Sequence, residues 1–165
     1  MRVIVALATV MICISGCGPE AKKPTAREAF EATEKLLSVW HKDIKSSRAD
    51  YIRVLISEGA DVNAKAKDGR TPLMIAARFS STPEIVQLLI EKGAEVNARS
   101  TIGFSPLMFA AQFSSTPGIV QLLIEKGAEV NAGDTDGWTP LMLAAQISST
   151  PELVPLLLKK GAELE

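Results

Sequence analysis

A passage that the chain repeats almost unchanged limits its fold more than any other feature. The 28 residues from Thr71, TPLMIAARFSSTPEIVQLLIEKGAEVNA, return from Ser105 as SPLMFAAQFSSTPGIVQLLIEKGAEVNA, and four positions differ. A less complete copy starts at Thr139, so the period is 34 residues. Such a period is typical of solenoids, in which each unit is one small supersecondary element. Because each unit buries its apolar face only by stacking on its neighbours, the repeated apolar positions predict a shared core.

The sequence of each unit predicts two helices. The first starts where proline follows Thr or Ser, because the fixed φ of proline suits the first helical position. The motif SSTP then ends this helix and starts the second, which ends on glycine. We expect each threonine to be an N-cap and the proline after it to be the first helical residue; the pairs are Thr82–Pro83, Thr116–Pro117 and Thr150–Pro151. In the second helix, the predicted core residues are Ile85, Val86, Leu88, Leu89 and their equivalents in later copies.

These marks resemble the ankyrin repeat, whose signature contains the motif T-P-L-H. TPLM or SPLM, followed by GAEVNA, match that signature in register, and the resemblance covers about residues 45–165. It implies an all-α solenoid of stacked helix-turn-helix units joined by β-turn or hairpin loops. Two features depart from the family: the turn between the helices has one extra residue, and methionine replaces histidine at Met74, Met108 and Met142. We expect the methionine to remove a loop hydrogen bond and to add an adaptable apolar side chain.

The two end units differ from the others. Thr25 and Glu28 form a capping-box pattern at the start of a helix predicted over about 26–43. A second helix, predicted over about 49–58, ends at Gly59. The apolar face of the first helix is expected to contain Ala29, Phe30, Thr33, Leu36, Leu37, Trp40 and Ile44. In the last unit, Pro155 falls near the fifth position of the second helix, which predicts a kinked, frayed or partner-covered C-terminus.

The N-terminus has the pattern of an export signal. Arg2 precedes an apolar run from Val3 to Ile14, which is shorter than the roughly 20 residues of a membrane-spanning helix. The motif ISGC at 14–17 resembles the bacterial lipobox, and this resemblance implies cleavage before Cys17 and lipidation of its thiol. An ordinary secretory signal with a coincidental cysteine is the alternative. In bacterial lipoproteins, the residue after the lipidated cysteine directs sorting. Gly18 at that position, rather than Asp, would place the anchor in the outer membrane, facing the periplasm, if the cell has two membranes.

These patterns divide the chain into three parts. We expect a lipoprotein signal peptide at 1–16, a lipidated tether at 17–25 and the repeat domain at 26–165. The repeats are expected at about 26–66, 67–100, 101–134 and 135–165, and they are called the first to the fourth repeat below. Cys13 would leave with the signal and Cys17 would carry the lipid, so the mature chain would have no thiol pair for a disulfide.

The turn ahead of each copy also changes, from KDGR through TIGF to TDGW. In ankyrin-repeat proteins the turn tips and three positions of each unit line a concave face and bind partners. The resemblance implies that the turn tips here are Lys67, Asp68, Thr101, Ile102, Thr135 and Asp136. We call each set of equivalent positions in successive repeats a column. The first column is Arg70, Phe104 and Trp138, the second is Ile75, Phe109 and Leu143, and the third is Arg78, Gln112 and Gln146. We expect the first column to expose its two aromatic rings for binding. The alternative is that both rings fold over their turns.

The inventory of reactive residues argues against catalysis. His41 is the sole histidine of the sequence, and without a second histidine or a free thiol it can form neither a His/Cys metal site nor a Cys–His pair. The formal net charge is −1 and the cations are interspersed with acids, so no basic surface for nucleic acid is expected. We therefore expect no catalytic residue, no cofactor and no metal.

Two binding hypotheses remain. The first is a monomeric, non-enzymatic module, tethered to the membrane by its lipid alone, that binds an envelope or periplasmic protein through the concave face. The second is an immunity or inhibitor protein that neutralises a toxin or hydrolase in the same compartment.

Overall fold

The architecture is seen in a computed structural model of the chain, which describes residues 24–39, 48–147 and 150–163. Those residues form eight α-helices and no strand. The helices are α1 Ala26–Ser38, α2 Arg48–Ser57, α3 Pro72–Phe79, α4 Pro83–Glu91, α5 Pro106–Phe113, α6 Pro117–Glu125, α7 Pro140–Ile147 and α8 Leu153–Lys159. The predicted all-α class is confirmed.

The helices are arranged in two layers. The first helices of the repeats, α1, α3, α5 and α7, pack on one another in sequence order, and the second helices, α2, α4, α6 and α8, do the same. Each first helix also packs on the second helix of its own repeat. A single apolar core runs from Leu36 in α1 to Leu157 in α8. The predicted core residues of α4, which are Ile85, Val86, Leu88 and Leu89, are all buried.

The first helix of each internal repeat starts with a cap that uses the methionine. The Thr71 hydroxyl accepts a hydrogen bond from the Met74 backbone N–H at 3.4 Å, and the Met74 sulfur accepts one from the Thr71 N–H at 3.4 Å. Ser105 and Met108 form the same reciprocal pair. Methionine can take part in this cap because its thioether sulfur is a weak acceptor.

The second helices start differently from the prediction. Thr82 and Thr116 have the extended backbone of an N-cap, with proline next, but neither hydroxyl accepts a hydrogen bond from its helix. The Thr116 hydroxyl instead donates to the Ser81 carbonyl of the preceding repeat at 3.1 Å. Thr150 is not an N-cap at all, and its hydroxyl donates to the Ser114 carbonyl at 3.4 Å. The hydroxyls of Thr116 and Thr150 therefore bond the preceding repeat.

The last helix avoids the kink that Pro155 predicts. α8 begins at Leu153 with Glu152 as its N-cap, two residues later than the equivalent start in α6, so Pro155 is the third helical residue. A backbone N–H at that position has no partner within the helix, so proline removes nothing there. Leu153 and Leu157 are fully buried, and Leu158 is exposed.

The first repeat agrees with the prediction in part. Thr25 and Glu28 form the predicted capping box, and Gly59 has the expected positive φ of 89°. α1 buries Ala32 and Leu36, whereas the Phe30 side chain is 66% exposed, so its placement on the core face is wrong. The predicted end of this helix, together with Trp40, His41 and Ile44, lies outside the described residues.

An asparagine near the end of each of the first three repeats joins it to the next repeat. The Asn97 side-chain N–H donates to the Gly127 carbonyl at 2.9 Å, and its carbonyl accepts from the Glu129 N–H at 3.0 Å. Asn63 and Asn131 make the same pair of bonds one repeat earlier and one repeat later. Each link satisfies backbone groups that the loop itself leaves unpaired.

Candidate functional site

The three turns that precede the first helices have the same backbone. The turn is closed by a hydrogen bond from the Ser100 N–H to the Phe104 carbonyl at 3.0 Å, and Gly103 takes a positive φ of 78°. The turns that end at Arg70 and Trp138 repeat this geometry. Residues 70, 104 and 138 therefore occupy the same position at the ends of their turns, so the first column is in register.

Adjacent turns are fastened to each other. The Thr101 backbone N–H and hydroxyl both donate to the Asp68 carbonyl, at 3.1 and 2.9 Å. The Thr135 N–H and hydroxyl bond the Ile102 carbonyl in the same way, at 3.3 and 3.1 Å. Four of the six turn-tip residues are therefore part of a continuous backbone ladder, which fixes the spacing of the turns.

The first column does not expose both of its aromatic rings. Trp138 is 36% exposed, but Phe104 is only 9% exposed and belongs to the core. The Phe104 ring packs edge-on against Phe109 with 5.3 Å between ring centroids. The prediction that Phe104 is a surface residue is therefore wrong, because its ring is held against the first helix of its own repeat.

The second column lies between helices rather than on a surface. Ile75, Phe109 and Leu143 are all buried, with exposed fractions of 6% or less. They lie in α3, α5 and α7, which pack side by side. We correct their predicted role accordingly: these residues shape the face from beneath.

The third column carries an arginine held between aromatic rings. The Arg78 guanidinium lies 4.2 Å from the centroid of the Phe113 ring and 4.9 Å from that of Phe79. Both rings are exposed, and Phe113 also stacks on Phe109 at 6.3 Å. Neither Phe79 nor Phe113 is among the residues predicted from the sequence. Their signal is that the same large ring ends the first helix in both long copies.

A groove between the third and fourth repeats collects many of the predicted residues. It has a volume of about 300 Å³ and is lined by Ile102, Phe104, Gln112, Asp134, Thr135, Asp136, Trp138, Leu143 and Gln146. We call it the inter-repeat groove. Every lining residue except Asp134 is one of the predicted partner-binding residues. Its walls include the exposed side chains of Ile102 and Trp138, and the buried Phe104 and Leu143 lie at its base.

The remaining predicted residues do not line this groove. Those from the second repeat are Lys67, Asp68, Arg70, Ile75 and Arg78, and those from the third are Thr101 and Phe109. They lie on the same stack of turns and first helices. The structure therefore divides the predicted face into a groove at its C-terminal half and a more charged surface at its N-terminal half.

The charged residues of the N-terminal half are tied to one another. Arg70 Nε donates to Asp68 Oδ2 at 2.6 Å, and the Arg70 backbone N–H donates to Asp68 Oδ1 at 3.2 Å. Slight burial of the Asp68 carboxyl raises its pKa, but the hydrogen bonds from Arg70 outweigh that effect and hold the pKa below its usual value. Asp68 therefore already has a cationic partner within the chain.

A second, larger concavity lies between α2 and α4, on the opposite layer. Its charged lining residues include Arg53, which bridges Asp50 at 2.7 Å and Glu84 at 3.2 Å. The hydrogen bond that Arg53 donates to Glu84, followed by the one it donates to Asp50, raises the pKa of Arg53. Because these charges already satisfy each other between two packed helices, we regard this concavity as part of the repeat interface rather than as a binding site.

The described residues hold no group of three His, Cys, Asp or Glu side chains that could bind a metal ion. In that same part of the chain, no helix is both long enough and apolar enough to cross a bilayer. The lipobox motif and Cys17 lie outside it.

Stacked helix pairs, fastened turns and a groove across the stack define a helical repeat protein. More specifically, the chain belongs to the ankyrin-repeat family: a model of three ankyrin repeats matches residues 33–100 and again residues 82–165. No curated protein matches the chain. Ankyrin repeats generally mediate protein–protein interaction, and proteins built from them are typically non-enzymatic.

Proposed function

We propose that the chain is a lipid-anchored, non-enzymatic module that holds another protein of the cell envelope in its inter-repeat groove. The observation that carries this proposal is the groove itself, where side chains from two turns and two first helices meet. Protein-binding hot spots combine large side chains with a surrounding of polar groups. The groove has this composition, with Trp138 and Ile102 exposed among Gln112, Gln146 and the turn residues.

The tether supports a location at a membrane surface. If Cys17 is lipidated, the seven residues from there to Pro24 span at most about 25 Å. Pro24 lies beside Gly59, which follows α2 in the first repeat, and a Cβ on Gly59 would come within 2.8 Å of the proline ring. The chain thus enters the solenoid at a fixed point, and the anchor would keep the first repeat close to the lipid.

Capture of envelope proteins tests the binding role. The wild-type chain and its variants would be immobilised, and solubilised envelope would be passed over them. We expect Trp138→Ala to weaken capture about thirtyfold, since a hot-spot aromatic contributes roughly 2 kcal/mol or more. Phe30→Ala is the matched control, because that ring is more exposed but lies in α1 and does not line the groove. Equal capture by all three proteins, or equal loss in both variants, would refute the proposal.

The captured protein would also separate the two binding roles. An envelope component bound without loss of its activity supports the scaffold role. A secreted toxin or hydrolase that loses activity on binding supports the inhibitor role.

The anchor is tested independently of the groove. Mass spectrometry of the mature N-terminus should find a lipid on Cys17, and Cys17→Ser should release the protein from the membrane fraction. An unmodified N-terminus beyond residue 17 would exclude the anchor and leave the binding proposal intact.

A further inference from the structure

The turns of the second and fourth repeats share an Asp-Gly pair but differ in charge balance. The second turn reads Asp68-Gly-Arg70, and the fourth reads Asp136-Gly-Trp138. In the second turn, the guanidinium of Arg70 lies on the carboxylate of Asp68 at 2.6 Å. In the fourth turn, tryptophan replaces that arginine, so the carboxylate of Asp136 loses the partner that its counterpart has.

No other cation of the described residues replaces it. Arg99 in the third repeat bonds the Gly103 carbonyl at 2.8 Å, the Gly133 carbonyl at 2.9 Å and the Glu129 carboxylate at 3.3 Å. Throughout the described ranges, no lysine or arginine forms an ion pair with Asp136. Its side chain is exposed and lines the inter-repeat groove.

The neighbouring carboxylate has a structural role. Asp134 Oδ1 accepts the backbone N–H groups of Asp136 at 2.9 Å and of Trp138 at 2.8 Å. These bonds hold the turn in shape, so that Asp136 and the Trp138 ring both lie on the wall of the groove. A cation placed there could meet a carboxylate and the face of an indole ring, and both attract it.

The groove also has apolar lining residues. Ile102 on the preceding turn is 53% exposed, and the buried side chains of Phe104 and Leu143 line the groove as well. An apolar side chain of a partner would bury these surfaces further. The groove therefore offers an apolar site and an anionic site side by side.

Resting on the proposed function, we propose that the inter-repeat groove selects a polypeptide segment in which an arginine or lysine accompanies a large apolar residue. The cation occupies, at Asp136, the position that Arg70 occupies at Asp68. The apolar side chain lies against Ile102 and Trp138, above Phe104 and Leu143.

A library of random twelve-residue peptides displayed on phage would test this selection. The whole chain would be immobilised through its N-terminus and used to enrich binders. We expect the enriched peptides to contain Arg or Lys close to Leu, Ile, Phe or Trp. No enrichment, or a set without an excess of basic residues over the starting library, would overturn the proposal.

A double-mutant cycle on the best peptide then assigns the cation to Asp136. Asp136→Asn should weaken binding about tenfold, which equals about 1.4 kcal/mol. Replacing the basic residue of the peptide with Gln should have a similar effect on the wild-type chain and little further effect on the variant. Glu95→Gln is the control, because it removes the same charge from an exposed residue that does not line the groove.

A second variant copies the second turn into the fourth. Trp138→Arg would create the Asp-Gly-Arg sequence there, and its guanidinium should compete with the cation of the peptide. Additive losses in the cycle, or unchanged binding by Trp138→Arg, would overturn the proposal. The proposed function is judged separately, since envelope capture that depends on Trp138 but not on Asp136 would keep the groove as a binding site and reject only its preference for a cation.

Discussion

Phe104 and Trp138 hold the same position in successive turns, yet their surroundings differ. Phe104 packs edge-on against Phe109 and belongs to the core, whereas Trp138 is partly exposed at the groove. Position within a repeat therefore does not decide burial by itself. The neighbouring side chains of each repeat decide it, and only one ring of this column is free to contact a partner.

Truncation of the two rings should separate these roles. Phe104→Ala should lower the free energy of unfolding by about 3 kcal/mol, as expected for a buried phenyl ring. Trp138→Ala should lower it by about 1 kcal/mol or less, since that ring is partly solvated already. Urea unfolding followed by circular dichroism measures both. Equal losses would show that Trp138 is a core residue and would weaken its assignment to the groove.

The threonines ahead of the second helices give a second matched pair. The Thr116 hydroxyl donates to the Ser81 carbonyl, whereas the Thr82 hydroxyl makes no cap hydrogen bond to α4. Thr116→Val should therefore cost about 0.5–1 kcal/mol, while Thr82→Val should stay within about 0.5 kcal/mol of the wild type. Chemical denaturation of both variants decides this. A larger loss at Thr82 would mean that its hydroxyl caps α4 after all.

At the scale of elements, the turns behave as one stacked unit. Each turn needs a glycine with positive φ, and the backbone of the next turn lies directly against it in the first two cases. A Cβ on Gly103 would come within 2.8 Å of the Thr135 nitrogen. A Cβ on Gly137 would meet nothing within 4 Å. The same residue type is thus required for conformation alone in one turn, and for conformation and space in another.

Alanine substitutions can separate conformation from space. Gly103→Ala and Gly137→Ala should both lose about 1 kcal/mol, because alanine is strained at positive φ. Gly103→Ala should lose a further 1–3 kcal/mol, roughly, because the new methyl group would push the next turn away. Thermal unfolding compares the two. If they are equally stable, the contact between adjacent turns is not close enough to matter.

For the whole molecule, the sequence predicted the stack well and the face less well. Period and helix signals are local, so TPLM and SSTP located most of the helices. The bond from Thr116 to Ser81 depends on the distance between repeats, which no single repeat encodes. The burial of Phe104 depends on its contact with the Phe109 ring, which the turn motif alone does not indicate. The sequence also did not predict the late start of α8, which places Pro155 at the third helical position.

The predicted site shows the same limit. The family pattern named eight of the nine residues around the inter-repeat groove, because it depends on register alone. It did not distinguish walls from base, and it did not indicate that only the fourth turn has an unpaired aspartate beside an aromatic ring. That difference follows from one substitution, Trp138 in place of arginine, and from where the turn places both side chains.

The asparagine links couple neighbouring repeats along the stack. Asn63 joins the first repeat to the second, and Asn131 joins the third to the fourth, each through two hydrogen bonds to backbone groups. In a solenoid, stability is close to a sum of repeat terms and nearest-neighbour terms, so losing one link should loosen the smaller side of the break. Asn63→Ala should therefore loosen α1 and α2, and Asn131→Ala should loosen α7 and α8.

Amide hydrogen exchange measured by mass spectrometry can locate this loosening. Two partly solvated hydrogen bonds are worth about 1–2 kcal/mol together, which should speed exchange about five- to thirtyfold in the loosened helices. The opposite end of the chain should keep its wild-type rate in each variant, so the two proteins are controls for each other. If both variants speed exchange evenly along the chain, the protein unfolds as one unit and the asparagine links add only to its total stability. If neither variant changes exchange, water replaces these bonds at no cost, and the ladder of turns and the apolar core carry the coupling between repeats.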